Sequence, residues 1–227
     1  MTIKPNAYIV MDTETSGFSK LVFDFGWTTI DKRGNILGKA DMVLFDVAVT
    51  ERPYFIHKVS GYAKRMDKNI HRVTSFAKAR RLFNLHVAHL KAKGYRVIVS
   101  AYNAGFDVSA LNITTKRMTK ETKFMRHSVE LLDIWGNWAL SAPKAYTAPK
   151  TASGKFYSTS AENVYRFETN DPDFVEAHTA YEDTKIEAEI LKRILKRKKR
   201  VKVVKSPRDF DTRIWEKFTI EKEAAHA

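Results

Sequence analysis

The chain predicts an α/β fold with a mixed sheet flanked by helices, and three features carry that prediction. Strand-like runs open the chain with hairpin chemistry between the second and third, a strongly periodic helix follows, and a second wholly apolar strand then leads into another helix. Hairpin-linked strands are antiparallel, whereas a helix, strand and helix in succession suggest a sheet that turns parallel. With 227 residues, 44% apolar and 12% aromatic, there is ample material for a core.

Each element has a local reason. Ala7 to Met11 is a short apolar run that ends in a polar cluster containing Gly17, which reads as a buried strand with carboxylates at its end. Leu21 to Ile30 and Ile36 to Phe45 are two further strands, joined by the hairpin-type stretch Asp31 to Asn35. In Thr74 to Lys93, Phe76, Ala79, Phe83, Val87 and Leu90 recur at spacings of three and four, with Thr74 or Ser75 as cap and Gly94 as stop. Tyr95 to Ala101 is a second buried strand, and a helix through Asp107, Ala110 and Leu111 follows it. Ser141 to Ser158 is rich in Pro, Lys, Thr, Ser and Gly and marks a long loop, either the border of a substrate groove or a plain connection. Thr159 and Glu162 have capping-box spacing for a short helix through Tyr165, and a longer helix starts near Ala180 with Ile186, Ile190, Leu191, Ile194 and Leu195 in one stripe.

Composition narrows the chemistry. Forty Lys and Arg against 26 Asp and Glu leave a formal charge of +14 and a pI near 9.8, which favours polyanionic partners. The absence of cysteine excludes disulfides and thiolate metal sites. No run resembles a secretory signal or approaches the roughly 20 apolar residues of a membrane-spanning helix, so the expectation is a soluble, cytoplasmic protein of bacterial or phage-infected cells, without membrane partners.

Asp12 and Glu14 are two positions apart on an extended segment and therefore share a face. They follow an apolar strand, where an uncompensated carboxylate is costly and a divalent cation would offset the cost. Asp107 reads either as a helix cap or, if the two buried strands are neighbours, as a third acid facing Asp12. His178 and Asp183 would point about 140° apart on a regular helix, so a common target requires His178 on the loop before the helix and Asp183 on its first turns. The oxygen-rich set Asp12, Glu14, Asp107 and Asp183 suits two hard cations, Mg²⁺ or Mn²⁺, which at a separation of about 3.5–4 Å bind one phosphate between them. His178 is the candidate general base for an attacking water.

Asp12 to Phe18, Asn103 to Asp107 and His178 to Asp183 resemble, in order and context, the three motifs of the DEDD superfamily of 3′-to-5′ exonucleases. The likeness is to the branch with histidine in the third motif, which includes the polymerase III proofreading subunit, ribonuclease T and stand-alone exonucleases of bacteriophages and bacteria. The resemblance implies a ribonuclease H-like fold with a mixed five-stranded sheet, and release of nucleoside 5′-monophosphates from a 3′ end. It also implies that Asp12, Glu14 and Asp183 hold one ion, that Asp12 bridges to the second, that Asp107 acts at or just outside the second ion's shell, and that His178 is the base. Thr15, Phe18 and Asn103 match positions near the substrate, while Tyr102 stands where relatives often carry histidine.

The implied partner is nucleic acid with a 3′ end, DNA favoured over RNA and single-stranded or frayed, with a polymerase or replication protein as a further partner. RNA 3′-end trimming and a catalytically inactive binding module are the alternatives. Leu191 to Lys205 carries nine Lys or Arg and no acid, which reads as a phosphate-tracking arm or a solvated helix end, and it divides the chain into an exonuclease domain, 1–205, ending in a basic helix, and an extension, 206–227. Trp135 and Trp138, three apart, read as core more than as base-stacking rings. His57, His71, His86, His89, His127, Trp27 and Trp215 receive no role.

Overall fold

A computed structural model of the chain describes residues 4–16, 19–50, 72–143, 145–198, 200–210 and 214–220. The strands are β1 (Asn6–Ser16), β2 (Leu21–Asp31), β3 (Ile36–Leu44), β4 (Arg72–Thr74), β5 (Arg96–Ala101) and β6 (Glu130–Asp133). They form one open mixed sheet in the order β4-β3-β2-β1-β5-β6. The β1, β2 and β3 meander is antiparallel as expected, β1 pairs with β5 in parallel, and β6 extends the parallel half. The α/β expectation is met, and the arrangement is consistent with a ribonuclease H-like fold. Short β4, parallel to β3, adds a sixth strand to the five that the resemblance implies.

Helices cover both faces: α1 (Phe45–Thr50), α2 (Phe76–Ala92), α3 (Ala104–Thr119), α4 (Ile134–Ala139), α5 (Ala161–Thr169) and α6 (Ala180–Arg197). Strand alternation divides the core in two. Ala7, Ile9 and Met11 of β1 join Phe25, Trp27, Phe83 and Phe124 under α2 and α3, whereas Tyr8 and Val10 join Trp138, Ile190, Leu191 and Ile194 under α4 and α6. Asp12 and Glu14 continue the second parity and so face α6.

The helix ends follow local chemistry. The hydroxyl of Ser75 accepts from the backbone N–H of Lys78 at the start of α2, and Gly94, just past the end of that helix, takes the left-handed conformation at φ +85°. Asp133, at the end of β6, accepts from the N–H groups of Ala104 (3.0 Å) and Gly136 (2.6 Å) and thereby caps α3 and α4 together. The cap of α5 is Ser160, one residue after the expected Thr159, whose hydroxyl instead accepts from the Trp135 indole. Trp138 is a core residue, stacked on Phe218 at 5.3 Å.

Two features of the C-terminal part depend on partners distant in sequence. The helix bearing the basic run ends at Arg197, and the chain then turns extended because Asn137 bonds both the N–H and the carbonyl of Lys202 and Val204 pairs with Leu131. The described part of 206–227 packs into the body: Phe218 is buried against Trp138 and Tyr146, and Phe156 bridges to Thr219. The loop from Ser141 to Ser158 is tied down by that bridge and by the Tyr146 hydroxyl, which donates to the Ser158 carbonyl.

One glycine sets the approach of α6. A Cβ at Gly26 in β2 would lie 2.6 Å from the backbone of Tyr181, so the first turn of α6 rests directly on the strand's backbone. Nearby, the Asp24 carboxylate accepts from the Ala180 N–H at 3.0 Å. Gly26→Ala should therefore lift the start of α6 and cost about 1–3 kcal/mol, as overpacking does. Urea melts of the two proteins will check this; an unchanged midpoint would mean that helix and strand do not meet so tightly.

Candidate active site

The parallel pairing of β1 with β5 sets their carboxyl ends side by side, and α6 crosses the same end of the sheet. Ligand oxygens of Asp12, Glu14 and Asp183 all lie within 4.8 Å of one another. Asp12 and Glu14 come from β1, just before a bulge that shifts the register between Glu14 and Thr15. Asp183 comes from the first turn of α6, and its Oδ1 is buried without a hydrogen-bond partner.

Asp107 arrives from the other face. It sits in the first turn of α3, is 3% exposed, and its Oδ1 accepts from the Thr13 hydroxyl at 2.8 Å. It does not cap that helix, because Asp133 does so. Asp107 is close enough to repel Asp12 electrostatically but stands outside the tight group of three. His178 occupies the loop before α6, as the angular argument requires, with its backbone in the left-handed region at φ 51°. Its side chain is 70% exposed and its Nδ1 lies 3.7 Å from Glu176 Oε2, in a separate group with Glu162 and Glu176.

The remaining predicted residues fall around this centre. Thr15 is at the end of β1, past the bulge, opposite Val22. Asn103 lines a neighbouring cavity of about 450 Å³ with Tyr102, Trp135, Thr159 and Phe210. Tyr102 is held in place by donating to the Thr159 carbonyl at 2.6 Å. Phe18 lies outside the described residues, as do His57 and His71.

No family model matches the chain, and no curated protein does. A solved structure described as "Exonuclease X in complex with 5' overhanging duplex DNA" is similar at 15% identity. The match covers 84% of this chain and 92% of that chain, with a TM-score of 0.46.

One acid at this centre escaped the sequence reading. Glu187 follows Asp183 by one helical turn, is 3% exposed, and its Oε2 has no hydrogen-bond partner. The signal in the sequence was an acid at i+4 from Asp183 and in line with the apolar stripe through Ile190, Leu191 and Ile194, where a solvated carboxylate has no place.

Crowding these groups has a clear electrostatic result. Burial, and then Glu187, Asp107, Asp183 and Glu14, push Asp12 well above the usual carboxylate range. Burial raises Asp107 to about 7 against the opposing hydrogen bond from Thr13. Burial, reinforced by Glu176 and Glu14, raises Asp183 to about 8. Burial and then Asp107 and Asp183 raise Glu187 as well. Hard divalent cations suit such a place: the donors are all oxygen, and the unpartnered oxygens of Asp183 and Glu187 are ones a cation would satisfy.

Without metal, the folded protein holds protons on these acids that the unfolded chain has released, so its stability should fall as pH rises from about 4 to about 8. Added Mn²⁺ should reverse that loss, raising the Tm more at pH 8 than at pH 5 because the ligands must be deprotonated. Thermal melts with EDTA and with Mn²⁺ at both pH values test this. A Tm indifferent to Mn²⁺ at pH 8 would remove the cation site.

Proposed function

We propose that this protein is a metal-dependent 3′-to-5′ exonuclease of the histidine-bearing DEDD type, acting on single-stranded or frayed 3′ ends of DNA and releasing nucleoside 5′-monophosphates. The observation that carries the reading is the convergence of Asp12, Glu14 and Asp183 within 4.8 Å. The order of the three motifs and the placement of Asp107 beside the group support it.

In this reading Asp12, Glu14 and Asp183 hold one cation, and Asp12 with Asp107 serves the second. When bound, the cations supply Lewis acidity, favouring hydroxide over water and neutralising charge on the phosphate. His178 takes the proton of the attacking water, and to do so it swings from Glu176 toward the acids; the exposed loop before α6 leaves room for that swing. Thr13 keeps Asp107 aimed by donating to its Oδ1. Thr15, Phe18 and Asn103 border the terminal nucleotides, and a polymerase or other replication protein is a further partner.

The basic run is displaced from this centre. The 18 residues of α6 span about 27 Å, so the cations past Arg197 lie at the far end of the helix from Asp183. There Lys198 and Arg200 join Lys32 and Arg96 around a cleft of about 350 Å³. We assign this end to phosphates of the strand away from the reacting terminus. On the inactive Asp12→Asn protein, Lys32→Gln with Arg200→Gln should weaken DNA binding and lower the salt slope by about 1 for each phosphate that is no longer neutralised. Anisotropy titrations between about 50 and 200 mM salt would detect this; an unchanged slope would dissociate this end from DNA.

The activity itself is tested with 3′-labelled single-stranded DNA and RNA in Mg²⁺ or Mn²⁺, with and without EDTA. Mononucleotide release from DNA, abolished by EDTA, Asp12→Ala and Asp183→Ala, is the expected result. His178→Ala should lose most turnover, on the order of 100-fold or more, yet keep its Mn²⁺ affinity. Preferential release from RNA would indicate 3′-end trimming. Tight binding with no cleavage in either metal would make the protein a binding module.

A further inference from the structure

The proposed mechanism employs four acids, and Glu187 is left over. A carboxylate so fully enclosed needs compensation, since burying an unpaired charge or an unsatisfied oxygen is costly. Glu187 forms no ion pair with a basic side chain among the described residues, and the backbone N–H of Tyr102 is the group that favours its charged form. Its Oε2 has no partner at all. No packing requirement explains an acid here, because its neighbours along the buried side of the helix, Ile190, Leu191 and Ile194, are apolar and fully at home in the core.

Position suggests the reason. One cation is provided for by Asp12, Glu14 and Asp183, whose oxygens already converge. The second would depend on Asp12 and Asp107, and Asp107 has one oxygen committed to Thr13. That leaves the second position short of oxygen donors. Glu187 is one turn along α6 from Asp183, adjoins the Tyr102 backbone at the end of β5, and interacts electrostatically with both Asp107 and Asp12. It is thus a buried acid on the same helix as Asp183, outside the tight group of three, with an unused oxygen.

Building on the cation reading, we infer that Glu187 is a fifth acidic residue of the site, holding the second divalent cation together with Asp12 and Asp107. Its unpartnered Oε2 is the donor, and the Tyr102 N–H steadies the carboxylate. A glutamate at this point of the helix thus does what Asp107 alone, half engaged by Thr13, does not.

The test is metal binding by the full chain, without substrate. Mn²⁺ titrations by calorimetry and by electron paramagnetic resonance at pH 8 should find two ions on the wild-type protein. Glu187→Gln, which keeps the side chain's shape and removes like-charge repulsion, should retain the first ion and bind the second at least tenfold more weakly. Its metal-free Tm should be no lower than that of the wild type, and its Mn²⁺-induced rise should be smaller. Glu187→Asp should recover part of the second ion's affinity, and this variant keeps the comparison informative if glutamine disturbs folding. Two ions bound by Glu187→Gln with wild-type affinity would overturn the assignment while leaving the exonuclease reading in place. A wild-type protein that binds no Mn²⁺ would overturn both.

Discussion

Parallel pairing of β1 with β5, with α6 pressed onto the backbone of β2 at Gly26, is the constraint on which the centre depends. The first half brings the ends of two buried strands side by side, so that Asp12 and the helix carrying Asp107 start from neighbouring points. The second half lowers α6 until Asp183 reaches the same place. Neither half involves the carboxylates of the group. Both act through backbone geometry, and the small residue at position 26 is what permits helix and strand to meet without an intervening side chain.

Buried acids in this fold divide into two kinds. Asp133 accepts N–H groups at the start of two helices, one on each carboxylate oxygen, where the exposed donors favour negative charge. Its burial is answered within the protein. Asp183 and Glu187 each keep an oxygen with no partner, and Asp12 is surrounded by other acids. Folding leaves these oxygens without a protein donor, in a group able to coordinate a divalent cation.

Charge along α6 is polarised in the same sense. Acids collect at its N-terminus and cations beyond its C-terminus, each sign at the end that the dipole favours. Ion pairs such as Arg197 with Glu168 take up part of the positive end, whereas the cleft around Lys198 and Arg200 has no acid among its lining residues. The basic run of Leu191 to Lys205 is thus set at the opposite end of α6 from Asp183.

Much of this was legible in the chain because the signals are local. Periodicity marked the strands and helices, Ser75 and Gly94 marked the ends of α2, and the acids at the end of an apolar strand marked the site. The angular spacing of His178 and Asp183 already required a loop before the helix, which is where His178 lies. Other features depended on residues distant in sequence. Asp133 took the cap that Asp107 was a candidate for, Asn137 and Leu131 drew the basic run out of its helix, and Phe218 brought the tail into the core. Glu187 is the clearest case. Its place in line with the apolar stripe marks it as buried, but which groups enclose it follows from how far α6 descends on Gly26 and from the nearness of β5. The sequence by itself determined the elements and the identity of the three acids whose oxygens converge; only the tertiary structure decided which oxygens remain unsatisfied, because satisfaction is a property of neighbours that the chain brings together by folding.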